Sequence, residues 1–234
     1  MLPSLNILGN IIYLYPLMMG LAWGLGYIIA HRLAPKSVVN LNLILFGLFI
    51  SSWAGAKIFF LFTSAYINKT IFLASSNFWL GGGFVFYGGL IFGLLFIILY
   101  CGLKKIPLET FSFLIISLGV GHAVGRVGCF FAGCCHGIIF EFESVDLHTP
   151  VQLFEAVLVL LITISAYNRL KSNNEVIKFY LVSYSVIRFF LEFLRSDLIR
   201  GQYLGLSTSQ LISVALIIIV SLPYYRDRFR VNKL

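Results

Sequence analysis

The chain has 234 residues, 59% of them hydrophobic and only 11% charged, with a mean hydropathy of +0.95. A soluble domain of this length has no core large enough to hold so much apolar surface, which excludes an ordinary water-soluble fold. The formal net charge of +8 does not mark a nucleic-acid binder, because the basic residues sit in short loops between apolar runs.

Only helices and closed barrels satisfy the backbone in lipid. The apolar runs are about 18 residues or longer rather than alternating strands of about ten, so the chain reads as an all-α polytopic membrane protein. Seven spans are predicted, roughly 11–33, 39–67, 83–102, 107–131, 150–169, 176–194 and 204–225, in a single transmembrane domain covering 1–234. The first clear positive charge is Arg32, so the start lacks the basic region of a signal peptide and Met1 is expected to be retained. One set of loops holds 11 of the 17 lysines and arginines, and the opposite set holds Lys69, Arg195 and Arg200. This bias predicts an outside N-terminus and a cytoplasmic C-terminus.

In the first span Tyr13, Tyr15 and Trp23 read as interfacial anchors. Lys57 lies well inside the second, either snorkelling or lining a polar cavity. The third opens on WLGGGFVFYGGLIFG, where Gly81, Gly82, Gly83, Gly88 and Gly89 predict an irregular entry from which Tyr87 projects.

The fourth span carries GVGHAVGRVGCFFAGCCHG, Gly119 to Gly137. Gly121, Gly125, Gly128 and Ala132 share a face and could admit a neighbouring helix. That stripe does not account for Arg126, nor for His122 one turn earlier. A guanidinium at membrane depth needs a partner or a function, and here it is read as a grip for an anionic lipid phosphate.

Pro150 suits the first turn of the fifth helix, where Gln152 and Glu155 share a polar face. In the sixth, Tyr184, Arg188, Glu192 and Arg195 fall on one face, and Arg188 can pair with Glu192. Of the nine acidic residues only Glu192 looks placed to pair with either buried arginine. One positive charge is therefore expected in excess, for a phosphodiester to neutralise.

Cys129, Cys134, Cys135 and His136 raise the question of a metal. The spacing C-x4-C-C-H is not a zinc-knuckle pattern, so no metal is expected. Small hydrophobes packing near a turn, a disulfide and a reactive thiol remain open.

Together GGLIFG, GRVGCFFAGCCHG, TPVQLFEA, SYSVIRFFLEFLR and LSTSQLIS, in that order over seven apolar runs, resemble the bacterial prolipoprotein diacylglyceryl transferases. The resemblance covers nearly the whole chain after about Tyr13. It implies an enzyme of the bacterial cytoplasmic membrane that moves a diacylglyceryl group from phosphatidylglycerol to the lipobox thiol of a prolipoprotein, with no cofactor. By position Arg126 and Arg188 match the family's two essential arginines. Tyr184, Glu192, Gln152, Glu155 and Tyr15 match supporting residues. Cys129 falls in the same substrate-binding set, and Gly125 and Gly128 would let the headgroup approach the backbone. Tyr87 and His148 are the acid–base candidates. Tyr87 stands where the family commonly has histidine, Cys129 where it has asparagine, Cys134 where it has glutamate, and Thr149 where it has histidine. These departures keep open a paralogue with another acceptor, or a non-catalytic phospholipid-binding or transport protein on the same scaffold. The expected partners are phosphatidylglycerol, a prolipoprotein signal peptide or other acceptor, and membrane lipids, not nucleic acid.

Overall fold

The structure is a computed structural model that describes residues 4–7, 10–63, 84–142, 145–171, 175–195, 202–203 and 205–222. Seven α-helices lie among the described residues: α1 (Leu14–Leu33), α2 (Leu41–Thr63), α3 (Phe86–Lys104), α4 (Phe113–Ala132), α5 (Val151–Lys171), α6 (Val176–Leu191) and α7 (Thr208–Ser221). Five stretches, Leu14–Leu33, Leu41–Phe62, Phe86–Lys104, Leu108–Ala132 and Val151–Leu170, are long and apolar enough to cross a bilayer. The chain is therefore a multi-pass membrane protein. As described, α6 and α7 have 16 and 14 residues, shorter than the spans predicted there. The predicted positions 64–67, 83, 204 and 223–225 lie outside the described residues, as do Gly81, Gly82 and Lys69.

Three short antiparallel hairpins accompany the helices: β1 (Ser4–Ile7) with β2 (Asn10–Tyr13), β3 (Ile139–Phe142) with β4 (Val145–His148), and β5 (Gln202–Tyr203) with β6 (Leu206–Ser207). The first hairpin moves the start of the leading helix from the expected residue 11 to Leu14, because Ile11 and Ile12 pair with Asn6 and Leu5. β-branched residues are at home in such a ladder.

The chain divides into two compact units. The first holds α1, α4, α5, α6, the first two hairpins and Ser213–Ser221 of α7. Its helices meet through small residues. A Cβ built on Gly121 would lie 3.1 Å from the Ala22 carbonyl oxygen, and one on Gly128 would lie 2.8 Å from the Met18 Cβ. The stripe on α4 is thus the seat of α1. On another face of α4, a Cβ at Gly119 would overlap the Thr163 hydroxyl of α5.

Gly133 ends α4 in the left-handed conformation, φ 70°. The Cys134 N–H donates to the Cys129 carbonyl and the Gly133 N–H to the Phe130 carbonyl, each at 3.2 Å. This Schellman motif satisfies carbonyls that the helix end would leave bare. Beyond it the Gly137 N–H bonds Thr149 O at 2.9 Å and the Ile138 N–H bonds Leu194 O at 3.0 Å, tying the turn to the ends of α5 and α6. Pro150 sits immediately before α5, and its carbonyl accepts from the N–H groups of Leu153 and Phe154.

The second unit holds α2, α3 and a 3-10 turn at Leu108–Phe111. Gly55 and Gly88 oppose each other so closely that a Cβ on either would strike the other's carbonyl oxygen. Close backbone approach through small residues is how membrane helices gain packing energy without a hydrophobic drive. The irregular entry expected around Tyr87 is therefore corrected in part. Tyr87, Gly88 and Gly89 lie in the first turn of a regular α3, with Tyr87 buried and the two glycines at its α2 contact. Lys57 is buried, its ammonium 3.8 Å from the Phe84 ring centroid and 5.9 Å from that of Trp53. It neither snorkels nor sits exposed.

Across both units Leu17, Phe46, Leu99 and Ile164 are among many large apolar side chains left outward-facing. Lipid is the solvent such a surface suits.

Candidate functional site

The first unit gathers four polar side chains from two helices around one carboxylate on a third. α4 supplies His122 and Arg126, one turn apart. α5 supplies Glu155, and α6 supplies Tyr184 and Arg188. The Arg126 Nη2 lies 2.9 Å from Glu155 Oε1, and the Arg188 Nη1 lies 3.8 Å from Glu155 Oε2. The Tyr184 hydroxyl donates to Glu155 Oε1 at 3.1 Å, and His122 Nε2 stands 3.5 Å from the same oxygen. Arg188 Nη2 also meets Glu192 Oε2 at 2.5 Å, the expected i, i+4 pair. The His122 and Tyr184 rings meet edge to face at 5.0 Å, and Tyr180 stacks on Tyr184 at 6.4 Å.

This corrects the expected charge balance. Glu155, not Glu192 alone, pairs with the arginines, and it bridges both of them. Two carboxylates face two guanidinium groups, so no surplus charge remains among these four. What remains is donor capacity: the Arg126 Nε–H has no hydrogen-bond partner among the described residues. Glu155 is 1% exposed. A carboxylate so buried is tolerated only with its partners in place, since breaking a buried pair leaves a charge uncompensated.

Gln152 is likewise buried, and its Nε2 donates to the Cys134 carbonyl at 2.6 Å. It pins the turn after α4 to the start of α5. Arg195 departs from the face expected for it. α6 gives way to a 3-10 turn at Glu192–Leu194, and Arg195 pairs by its backbone with Gly137.

Tyr15 is in the first turn of α1, with a ring carbon 3.8 Å from a Cβ built on Gly128. Gly128 packs against Met18 of α1. Gly125 is roomier: a Cβ there would meet Met19 Sδ at 3.9 Å. Tyr87 belongs to the second unit. His148 is exposed at the end of β4, its ring 4.3 Å from that of His136.

Cys129, Cys134 and Cys135 place their sulfurs within 4.8 Å of one another, and none of the three is in a disulfide. The Cys134 thiol donates to the Cys129 carbonyl at 3.6 Å.

The family model described as prolipoprotein diacylglyceryl transferase matches residues 4–225. The chain belongs to this family. Among curated relatives, a phosphatidylglycerol–prolipoprotein diacylglyceryl transferase of Clostridium tetani is 35% identical over 64% of this chain and 67% of its own. One of Clostridium perfringens is 34% identical over 79% and 77%, and one of Finegoldia magna 30% identical over 92% and 91%.

Sequence reasoning left two members of the cluster without a role. His122 carried a signal, standing four residues before Arg126 on one helix face. Tyr180 carried the same one, four before Tyr184. Neither signal reveals that both faces converge on Glu155, because that requires knowing how three helices dock.

Proposed function

We propose that the chain transfers the diacylglyceryl group of phosphatidylglycerol to the lipobox cysteine thiol of a prolipoprotein, the activity named for its relatives. The observation that carries the reading is the Arg126–Glu155–Arg188 bridge, in which one buried carboxylate aligns two guanidinium groups. The acceptor sulfur attacks the glyceryl carbon that bears the phosphoester oxygen. A C–S bond forms, the C–O bond breaks, and glycerol phosphate leaves with the electron pair. Charge grows on the departing phosphate, and preoriented guanidinium donors stabilise it without reorganisation. Glu155 and Glu192 keep those donors aimed, and Tyr184 holds Glu155. His148 is the candidate to take the thiol proton, with Tyr15, Gln152, Cys129 and Gly125 bordering the lipid headgroup.

In this reading all seven apolar segments span a bacterial cytoplasmic membrane, with the N-terminus outside and the C-terminus in the cytoplasm. The lysine and arginine distribution supports it. A reporter fused after Leu234 and active only outside the cell would refute that orientation. The activity is tested by incubating purified protein with phosphatidylglycerol and a lipobox peptide. The expected outcome is a peptide heavier by one diacylglyceryl group in the mass spectrum. Retention of phosphatidylglycerol with no transfer would instead make the protein a lipid binder.

A further inference from the structure

The three clustered thiols take no part in the bond-making step above, Cys129 only bordering the headgroup, and their chain spacing argued against a metal. The fold removes that objection. Cys129 is in the last turn of α4, and the chain then passes through two left-handed residues, Gly133 at φ 70° and Cys135 at φ 62°. A left-handed cysteine is uncommon and costs backbone energy that a glycine would not. The paired reversals curl the segment back on the helix end, so that C-x4-C-C closes in space as a conventional knuckle does in sequence. Gln152 holds the curl from α5 through the Cys134 carbonyl.

We propose that Cys129, Cys134 and Cys135 form a three-thiolate site for a thiophilic divalent cation of the zinc–cadmium class. Metal–sulfur bonds of about 2.3 Å put three sulfurs round one ion about 3.8 Å apart. The sulfurs already lie within 4.8 Å of each other, so side-chain rotations that close at most about 1 Å complete the site. Soft thiolates select such ions over magnesium or calcium. Binding releases the three thiol protons to solvent and leaves a complex of net charge −1. Arg195, bridged by its backbone to Gly137, is the nearby cation that offsets it. Cys134 is exposed and gives the ion a way in.

A disulfide fits the arrangement less well. Adjacent residues have Cα atoms about 3.8 Å apart, short of the range of about 4.4–6.8 Å that disulfides favour, which disfavours Cys134–Cys135. Either bridge to Cys129 would leave one thiol of the cluster unused.

The test uses the full chain, purified in detergent, reduced, and freed of reductant without air. Cadmium alone is titrated in while the thiolate-to-cadmium ultraviolet absorption is read. The signal should saturate at one equivalent, and Cys101→Ser should leave the curve unchanged. Cys129→Ser, Cys134→Ser and Cys135→Ser should each weaken binding by more than about tenfold, and the triple variant should abolish it. Size-exclusion elution of each variant checks that the fold is kept, with alanine replacements for any that aggregates. Absence of the band overturns the site, as does an unchanged curve in the triple variant or in any single one. A mass 2 Da low in the protein as purified, before reduction, would assign a disulfide instead. The readout involves no lipid transfer, so its failure is separate from failure of the enzymatic reading.

Discussion

Arg126 and Lys57 are both buried inside apolar helices, at 7% and 3% exposure, and the two units solve that problem differently. Lys57 is met by aromatic faces, Phe84 at 3.8 Å and Trp53 at 5.9 Å. Rings attract a cation by about 0.5–2 kcal/mol and impose little direction. Arg126 is met by a carboxylate that also faces a second arginine, a tyrosine and a histidine. A forked guanidinium on a shared carboxylate is fixed in position as well as satisfied. The difference separates a cation absorbed into helix packing from a cation held for use.

The sharpest way to break this comparison is Glu155→Gln. The amide fills the same space but leaves two guanidinium groups without their common anion. We expect a loss of about 3–5 kcal/mol of stability, read as a lower Tm in detergent, together with lost transfer. A Tm within error of the parent would mean the bridge does not hold the first unit together. Next in size is Arg126→Lys, which keeps the charge and removes the fork. Transfer to a lipobox peptide should fall by about 10²–10³-fold while the protein still inserts. A lysine enzyme of near-parental rate would reduce Arg126 to a point charge like Lys57.

Two changes probe the other unit. Gly88→Ala puts a methyl against the Gly55 carbonyl and must push α2 and α3 apart. The expected cost is about 1–3 kcal/mol, measured by thermal unfolding, and an unshifted Tm would contradict the close approach. The smallest effect belongs to Lys57→Met. It gives up the ring contacts but also removes a buried charge, and these oppose each other. Stability should move by less than about 1 kcal/mol and the transfer rate should hold. A large loss of transfer would show that Lys57 is held for use after all.

Much of the site was legible along single helices. Arg188 with Glu192, and Gln152 with Glu155, fall at spacings that the helical repeat places together. The same logic misled at Arg195, because it assumed that α6 continues where the chain turns into a 3-10 segment. It also missed the α4–α5 pairing. Arg126 and Glu155 are 29 residues apart, and no periodicity relates them.

Composition and periodicity by themselves determined that this is a helical, multi-pass membrane protein and which helices carry the ionisable residues. Those properties follow from the length of apolar runs and the 3.6-residue repeat, and both are local. Only the tertiary structure decided that Glu155 joins the two arginines, that Gly128 packs against α1, and that three thiols meet beyond α4. Each depends on how helices dock or on backbone angles at one or two residues. A φ of +62° at Cys135 is set by what the surrounding elements tolerate, not by the residue's own preference.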